Sequence, residues 1–162
     1  AGPLIRQMRD RGLETRVLGG DGFDSSDLAQ LAGEAAKGVN YVSVSGPASS
    51  YPQAAQFAKD YQAAYGAAAA YPAFQAYDAA TACMLAIGNA AVEANGRPTR
   101  EQVKAAMQKI TGFAGVTGDV SFDDKGDRSP ATYYIFEVGS GDPAQWGNNK
   151  VVSEIEQAPP SK

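Results

Sequence analysis

The chain has 162 residues, 44% of them hydrophobic, which is enough for one domain of ordinary size or two small ones. Its 14 basic and 18 acidic residues leave a formal net charge of −4, which argues against nucleic acid and anionic membrane as main partners. Zero histidines remove the commonest metal ligand and general base, and the lone Cys83 excludes an intramolecular disulfide and a cysteine zinc cage.

No apolar run approaches the roughly 20 residues that a membrane-spanning helix needs. The start, Ala1-Gly2-Pro3, carries neither a signal peptide nor a methionine, so removed upstream sequence is expected. Arg6, Arg9, Arg11 and Arg16 cluster near the start, with Arg6 and Arg9 on one side of a helix, a solvated face.

In chain order, Leu4, Ile5 and Met8 recur at helical spacing, and the pattern predicts a helix over 3–11 with Pro3 at its start and Gly12 past its end. A strand is expected over 15–18. Ser25 or Ser26 then caps a helix with Leu28, Leu31, Ala32 and Ala35 inward, ended by Gly38. Residues 39–44 alternate as a strand, and the α-β-α-β order points to a parallel sheet covered by helices. The small-residue break Ser45 to Ser50 is the best linker signal in the chain.

Beyond it, Ala54, Phe57, Ala58, Tyr61 and Tyr65 line one stripe of a helix over 52–65. Gly66 and Pro72 bracket the alanine run 67–70, leaving turn and frayed helix equally open. The longest periodic segment, about 73–94, places Tyr77, Ala80, Met84, Ile87 and Ala91 three or four apart and reads as a largely buried helix, with Cys83 as a small buried hydrophobe. Asn95 to Pro98 stop it. Thr99 and Gln102 form a capping box before a helix with Val103, Ala106, Met107 and Ile110 inward.

After Gly112 the period becomes two around Val120 and Phe122, and Asp123-Asp124-Lys125-Gly126-Asp127 turns the chain. The aspartates lack the alternating spacing and terminal glutamate of an EF-hand loop, so the glycine reads as hairpin chemistry rather than metal binding. A strand is expected over 131–138, a polar loop carrying Trp146 over 139–149, a last strand over 150–155 and a disordered tail over 157–162.

One stretch stands out for function. Val17-Leu18-Gly19-Gly20-Asp21-Gly22-Phe23-Asp24 empties a strand into a glycine-flanked carboxylate, at the carboxyl edge where α/β sheets collect ligands. Asp21 is either a ligand contact, with Gly19, Gly20 and Gly22 permitting sharp turns and close approach, or a turn aspartate bonding its own backbone. An acid/base role for Asp21 with Asp24 is weak without a histidine, a nucleophile elbow or a second carboxylate cluster. No catalytic group, cofactor site or metal site is expected.

Gly2-Pro3-Leu4-Ile5-Arg6-Gln7, Gly19-Gly20-Asp21-Gly22, Tyr77-Asp78-Ala79-Ala80 and Gly118-Asp119-Val120-Ser121-Phe122-Asp123 with Lys125-Gly126-Asp127 occur in one order across nearly the whole chain. In that order it resembles the carboxyl-terminal part of periplasmic binding proteins that feed branched-chain amino acids to ABC transporters. The resemblance implies an α/β, type I periplasmic-binding-protein fold, two doubly wound parallel-sheet lobes present here only as the carboxyl-terminal portion. On that template residues 1–46 end lobe 2, 47–127 return to lobe 1, and 128–156 give lobe 2 its final strands.

By position, the resemblance makes Asp21 the carboxylate that pairs with the ligand ammonium. It sets Phe74 and its neighbour Tyr71 against the ligand's apolar tail, and on the residues alone Phe74 reads equally as core. The groups that hold the ligand carboxylate lie in the family's amino-terminal half, outside this chain. Implied partners are a small-molecule amino acid, a membrane ABC permease and the missing amino-terminal half of the same protein, in a periplasmic or other extracytoplasmic location. Unpaired sheet edges and uncovered apolar faces also predict a homo-oligomer formed by edge pairing or swapping. Two other functions stay open: a ligand-sensing domain of a receptor or amide-type regulator, and a structural fragment without ligand binding.

Overall fold

The computed structural model describes residues 1–69 and 72–157. In chain order the elements are α1 (Gly2–Asp10), β1 (Leu18–Gly19), α2 (Ser26–Ala32), β2 (Asn40–Ser43), α3 (Ala55–Tyr65), α4 (Ala73–Ala94), α5 (Arg100–Gln108), β3 (Phe113–Gly115), β4 (Gly118–Val120), β5 (Ala131–Glu137) and β6 (Lys150–Gln157). The chain divides into two compact units, one of Ala1–Pro47 with Thr132–Glu156 and one of Ala48–Ala131 with the chain end.

The first unit is a four-stranded sheet in the order β1-β2-β5-β6 with α1 and α2. β1 runs parallel to β2, with Leu18 opposite Asn40 and Gly19 opposite Tyr41, whereas β5 lies antiparallel to β2, with Tyr41 opposite Phe136. The sheet is thus mixed where the α-β-α-β order predicts a parallel one, because the chain re-enters at β5 from the second unit rather than through a further crossover. β1 is only 2 residues long where a strand over 15–18 is expected. Upstream of it, only the Val17 carbonyl meets β2, accepting from Asn40 N at 2.9 Å.

Ser25 caps α2, its hydroxyl accepting from the Asp27 amide, and a 3-10 turn over Gly33–Ala36 follows the helix. Leu31, expected inward, is exposed. The inward side is made instead by Leu28, Ala29, Ala32 and Ala36, and the backbone of α1 approaches so closely that a Cβ on Gly2 would overlap Leu31 Cβ at 2.6 Å. Ile5, Leu28, Val39, Tyr41, Phe136 and Val138 anchor the core, each large buried side chain contributing about 1.5–3 kcal/mol. β6 runs on to Gln157, so that residue is strand rather than tail, and 158–162 lie outside the described residues.

The second unit is helical, with the β3-β4 hairpin beside α4 and α5. α4 has the expected bounds and ends where Asn95 turns left-handed at φ 50°. Its buried row is Phe74, Asp78, Ala82, Ala86 and Ala90, strictly four apart, and the alanines let α5 come close through Ala106 and Ile110.

The large apolar residues expected to be buried lie on the other side. Tyr77 is 48% exposed, Met84 64% and Ile87 49%, and Cys83 is exposed too, one position round the helix from buried Ala82. Close helix packing selected the small residues for the contact row; on the bulky stripe the Tyr77 ring meets Phe57 of α3 at 4.7 Å between centroids, while Met84 and Ile87 stay largely exposed. The capping box at Thr99 and Gln102 forms in both directions. In the 123–127 turn the Asp123 carboxylate accepts from the Lys125 and Asp127 amides, and these bonds, Asp127 first, hold it below the usual carboxylate range.

Candidate ligand-binding turn

Asp21 sits where β1 ends. Gly20 is extended, and a 3-10 turn over Asp21–Phe23 follows, closed by Phe23 N to Gly20 O at 3.0 Å and Asp24 N to Asp21 O at 2.9 Å. The Asp21 carboxylate is exposed and forms no ion pair among the described residues. None of Gly19, Gly20 and Gly22 adopts positive φ. Only Gly19 needs to be glycine for space: the Phe23 ring lies directly over it, so any Cβ there would overlap the ring. Phe23 in turn packs on the core of the first unit.

The next residue holds the turn from the other side. Asp24 Oδ2 accepts from the Ser43 hydroxyl at 2.7 Å and Asp24 Oδ1 from the Trp146 indole N–H at 3.1 Å. Trp146, on the 3-10 segment Pro143–Asn148, stacks on Tyr41 at 5.4 Å, and Tyr41 stacks on Phe136 at 5.2 Å. The Tyr41 hydroxyl accepts from Asn149 Nδ2 at 3.2 Å. Burial pushes that hydroxyl well above the ordinary tyrosine range; the Asn149 bond opposes the shift and the Asp24 charge adds to it.

The other two expected ligand residues belong elsewhere. Phe74 is in the first turn of α4, in the second unit, buried against Tyr51 at 5.7 Å and Phe57 at 5.3 Å between ring centroids. Tyr71 lies outside the described residues. The second unit also carries an open groove of about 510 Å³, lined by Leu85, Val92, Ile110 and Phe113, with the Glu93–Lys109 ion pair on it. Among the described residues no three histidine, cysteine, aspartate or glutamate side chains are grouped to hold a metal.

Composition does not single out two buried polar residues. Asp78, on the inward row of α4, accepts from Val116 N, Thr117 N and Thr117 Oγ1. Ser43, 0% exposed at the end of β2, donates to Asp24 and accepts from Ser45 N. Asp78 had a signal of its own, a carboxylate four residues from both Phe74 and Ala82 on an otherwise apolar row.

A family model described as periplasmic binding protein matches residues 1–143. The chain belongs to the periplasmic binding protein family. Among relatives of this periplasmic binding protein, the Leu/Ile/Val-binding protein homolog 2 of Brucella abortus is 37% identical over 147 residues, covering 90% of this chain and 38% of the relative. A leucine-, isoleucine-, valine-, threonine-, and alanine-binding protein of Pseudomonas aeruginosa is 27% identical over 136 residues, covering 84% of the chain and 35% of that protein.

The crystal structure of a leucine-binding protein from Thermotoga maritima matches with a TM-score of 0.76 at 27% identity, over 94% of this chain and 40% of that one. A branched-chain amino acid transporter substrate-binding protein from Streptococcus pneumoniae, in complex with isoleucine, matches with a TM-score of 0.69 at 27% identity, over 98% and 42%. The fold class is thus the type I periplasmic-binding-protein fold, and the chain spans between a third and two fifths of these curated relatives.

Proposed function

We propose that the chain is the carboxyl-terminal part of an extracytoplasmic solute-binding protein that delivers branched-chain or related amino acids to an ABC permease. The observation that carries this reading is the 37% identity, over 90% of the chain, to a Leu/Ile/Val-binding protein homolog. In it, Asp21 pairs with the ligand ammonium. The exposed Asp21 carboxylate at the carboxyl end of a parallel strand supports the role, since closure of a second lobe over it expels water and strengthens the ion pair. Residues 1–46 and 128–156 contribute to one lobe and 47–127 to the other. The ligand carboxylate is held by the amino-terminal part of the protein, which is also a partner in folding.

Isothermal titration with leucine, isoleucine, valine and polar amino acids, on this chain and on a form extended upstream to the length of its relatives, tests the reading. Branched-chain amino acids bind the extended form and Asp21→Asn weakens them at least tenfold. An extended form that binds none of them refutes amino-acid transport, and an Asp21→Asn variant that binds as tightly as the parent refutes the ammonium contact.

A second reading, a homo-oligomer of this chain, is favoured by the exposed stripe of Tyr77, Met84 and Ile87 and by β1 as an uncovered edge of its sheet among the described residues. Light scattering after size exclusion decides it: a rigid monomer excludes edge pairing and swapping.

A further inference from the structure

We propose that Asp24 and Trp146 are positioning residues for the Asp21 turn, and that Trp146 reports on that turn. The inference rests on the reading of Asp21 as the ammonium contact. A single 3-10 turn closed by two backbone hydrogen bonds does not hold its own shape, so the direction of the Asp21 side chain must be set from outside. Phe23, seated over Gly19, fixes one end.

Asp24 fixes the other, and its carboxylate is divided between two separate elements: Oδ2 takes the Ser43 hydroxyl from the end of β2, and Oδ1 takes the Trp146 indole from the 3-10 segment after β5. Trp146 cannot turn away without leaving both Asp24 and the ring of Tyr41. Among the described residues Asp24 makes no ion pair, so its charge is held by neutral donors and adds to the negative potential around Asp21 instead of being cancelled. A cation arriving at Asp21 therefore meets a turn already oriented, in a field that favours it. Because the indole is bound to the residue that closes this turn, a change in the turn changes the surroundings of Trp146. It is the chain's single tryptophan, so the emission is unambiguous.

The test uses this chain first. Asp24→Ala should red-shift Trp146 emission and at least double its quenching by acrylamide. Asp24→Asn retains an amide oxygen for the indole and should stay near the parent. In the form extended upstream, Asp24→Ala should weaken leucine binding about tenfold, and Asp24→Asn should recover it to within about threefold. Ile5→Val, which loosens the same core away from the turn, should leave affinity unchanged.

If Asp24→Ala leaves emission and quenching unaltered, or if Ile5→Val at matched melting temperature weakens binding as much, the positioning role is overturned. If Asp21→Ala leaves leucine affinity intact while Asp24→Ala still exposes Trp146, the ammonium contact fails and the clamp on the turn stands.

Discussion

Thr117 binds the buried Asp78 carboxylate twice, through its backbone amide at 2.8 Å and its hydroxyl at 2.6 Å, and thereby joins the middle of the β3-β4 connection to α4. Val116 N adds a third donor at 2.7 Å, and Arg128 Nη1 donates to the same Thr117 hydroxyl at 3.1 Å. Gly115 has no room for a side chain, because a Cβ there would meet Asp78 Oδ2 at 2.5 Å. Removing the acceptor leaves three donors facing a dry interior. Asp78→Ala should therefore cost about 3 kcal/mol in denaturant unfolding, and Gly115→Ala should also destabilise by displacing the carboxylate. A loss under about 0.5 kcal/mol for Asp78→Ala, the size of an ordinary surface substitution, would mean that the cluster does not hold the hairpin.

Tyr41 gives a pH prediction. Its hydroxyl titrates higher in the folded chain than in the unfolded one, first because it is buried. The neutral form is the one the fold prefers, so this contribution is complete below the unfolded value near pH 10 and is lost as pH rises beyond it. Stability should fall above about pH 10, by at most about 1.4 kcal/mol per pH unit from this group. Tyr41→Phe should flatten that fall, and absorbance titration of the tyrosinates should lose its latest component in the variant.

Local signals were legible where the chain settles its own hydrogen bonds. The Thr99–Gln102 box and the Ser25 cap rest on side chains bonding backbone within a few residues, the stop at Asn95 on a left-handed residue whose own amide bonds the last turn, and each forms as its residues imply. Which face of α4 turns inward was not legible from hydrophobicity. Alanine at 82, 86 and 90 is chosen for close approach, while Met84 and Ile87 are apolar but exposed and Tyr77 meets only the edge of α3 through Phe57. Gly19 was recognisable as special for the wrong reason: it makes room for Phe23 and bends nothing. The hydrogen bonds of Asp24 were not legible, because Ser43 and Trp146 lie 19 and 122 residues away from it in the chain.

Cys83 tests the orientation of α4 directly. A thiol one position away from buried Ala82, on the solvent side of the helix, should react with a disulfide reagent in the native chain at a rate within about tenfold of that in denaturant. A rate slower by several orders of magnitude would put the thiol in a core or an interface. Repeating the reaction on the upstream-extended form shows whether the added sequence shields that side.

The same face predicts opposite outcomes for one substitution in two settings. Met84 is 64% exposed and Ile87 49%, so Met84→Glu and Ile87→Glu should leave the stability of this chain within about 0.5 kcal/mol, as for surface changes away from special contacts. If copies of the chain associate through this stripe, the added charge must be desolvated at the contact, and light scattering should show a shift towards monomer. If residues 47–127 return to a lobe completed by upstream sequence, as proposed, this stripe is the face that sequence would cover. Met84→Glu should there cost about 1–3 kcal/mol, the range that protein substitutions give for burying a polar group without a partner. A substitution silent in both forms would leave the stripe a solvent-facing surface, and neither edge-free association nor the completed lobe would then rest on it.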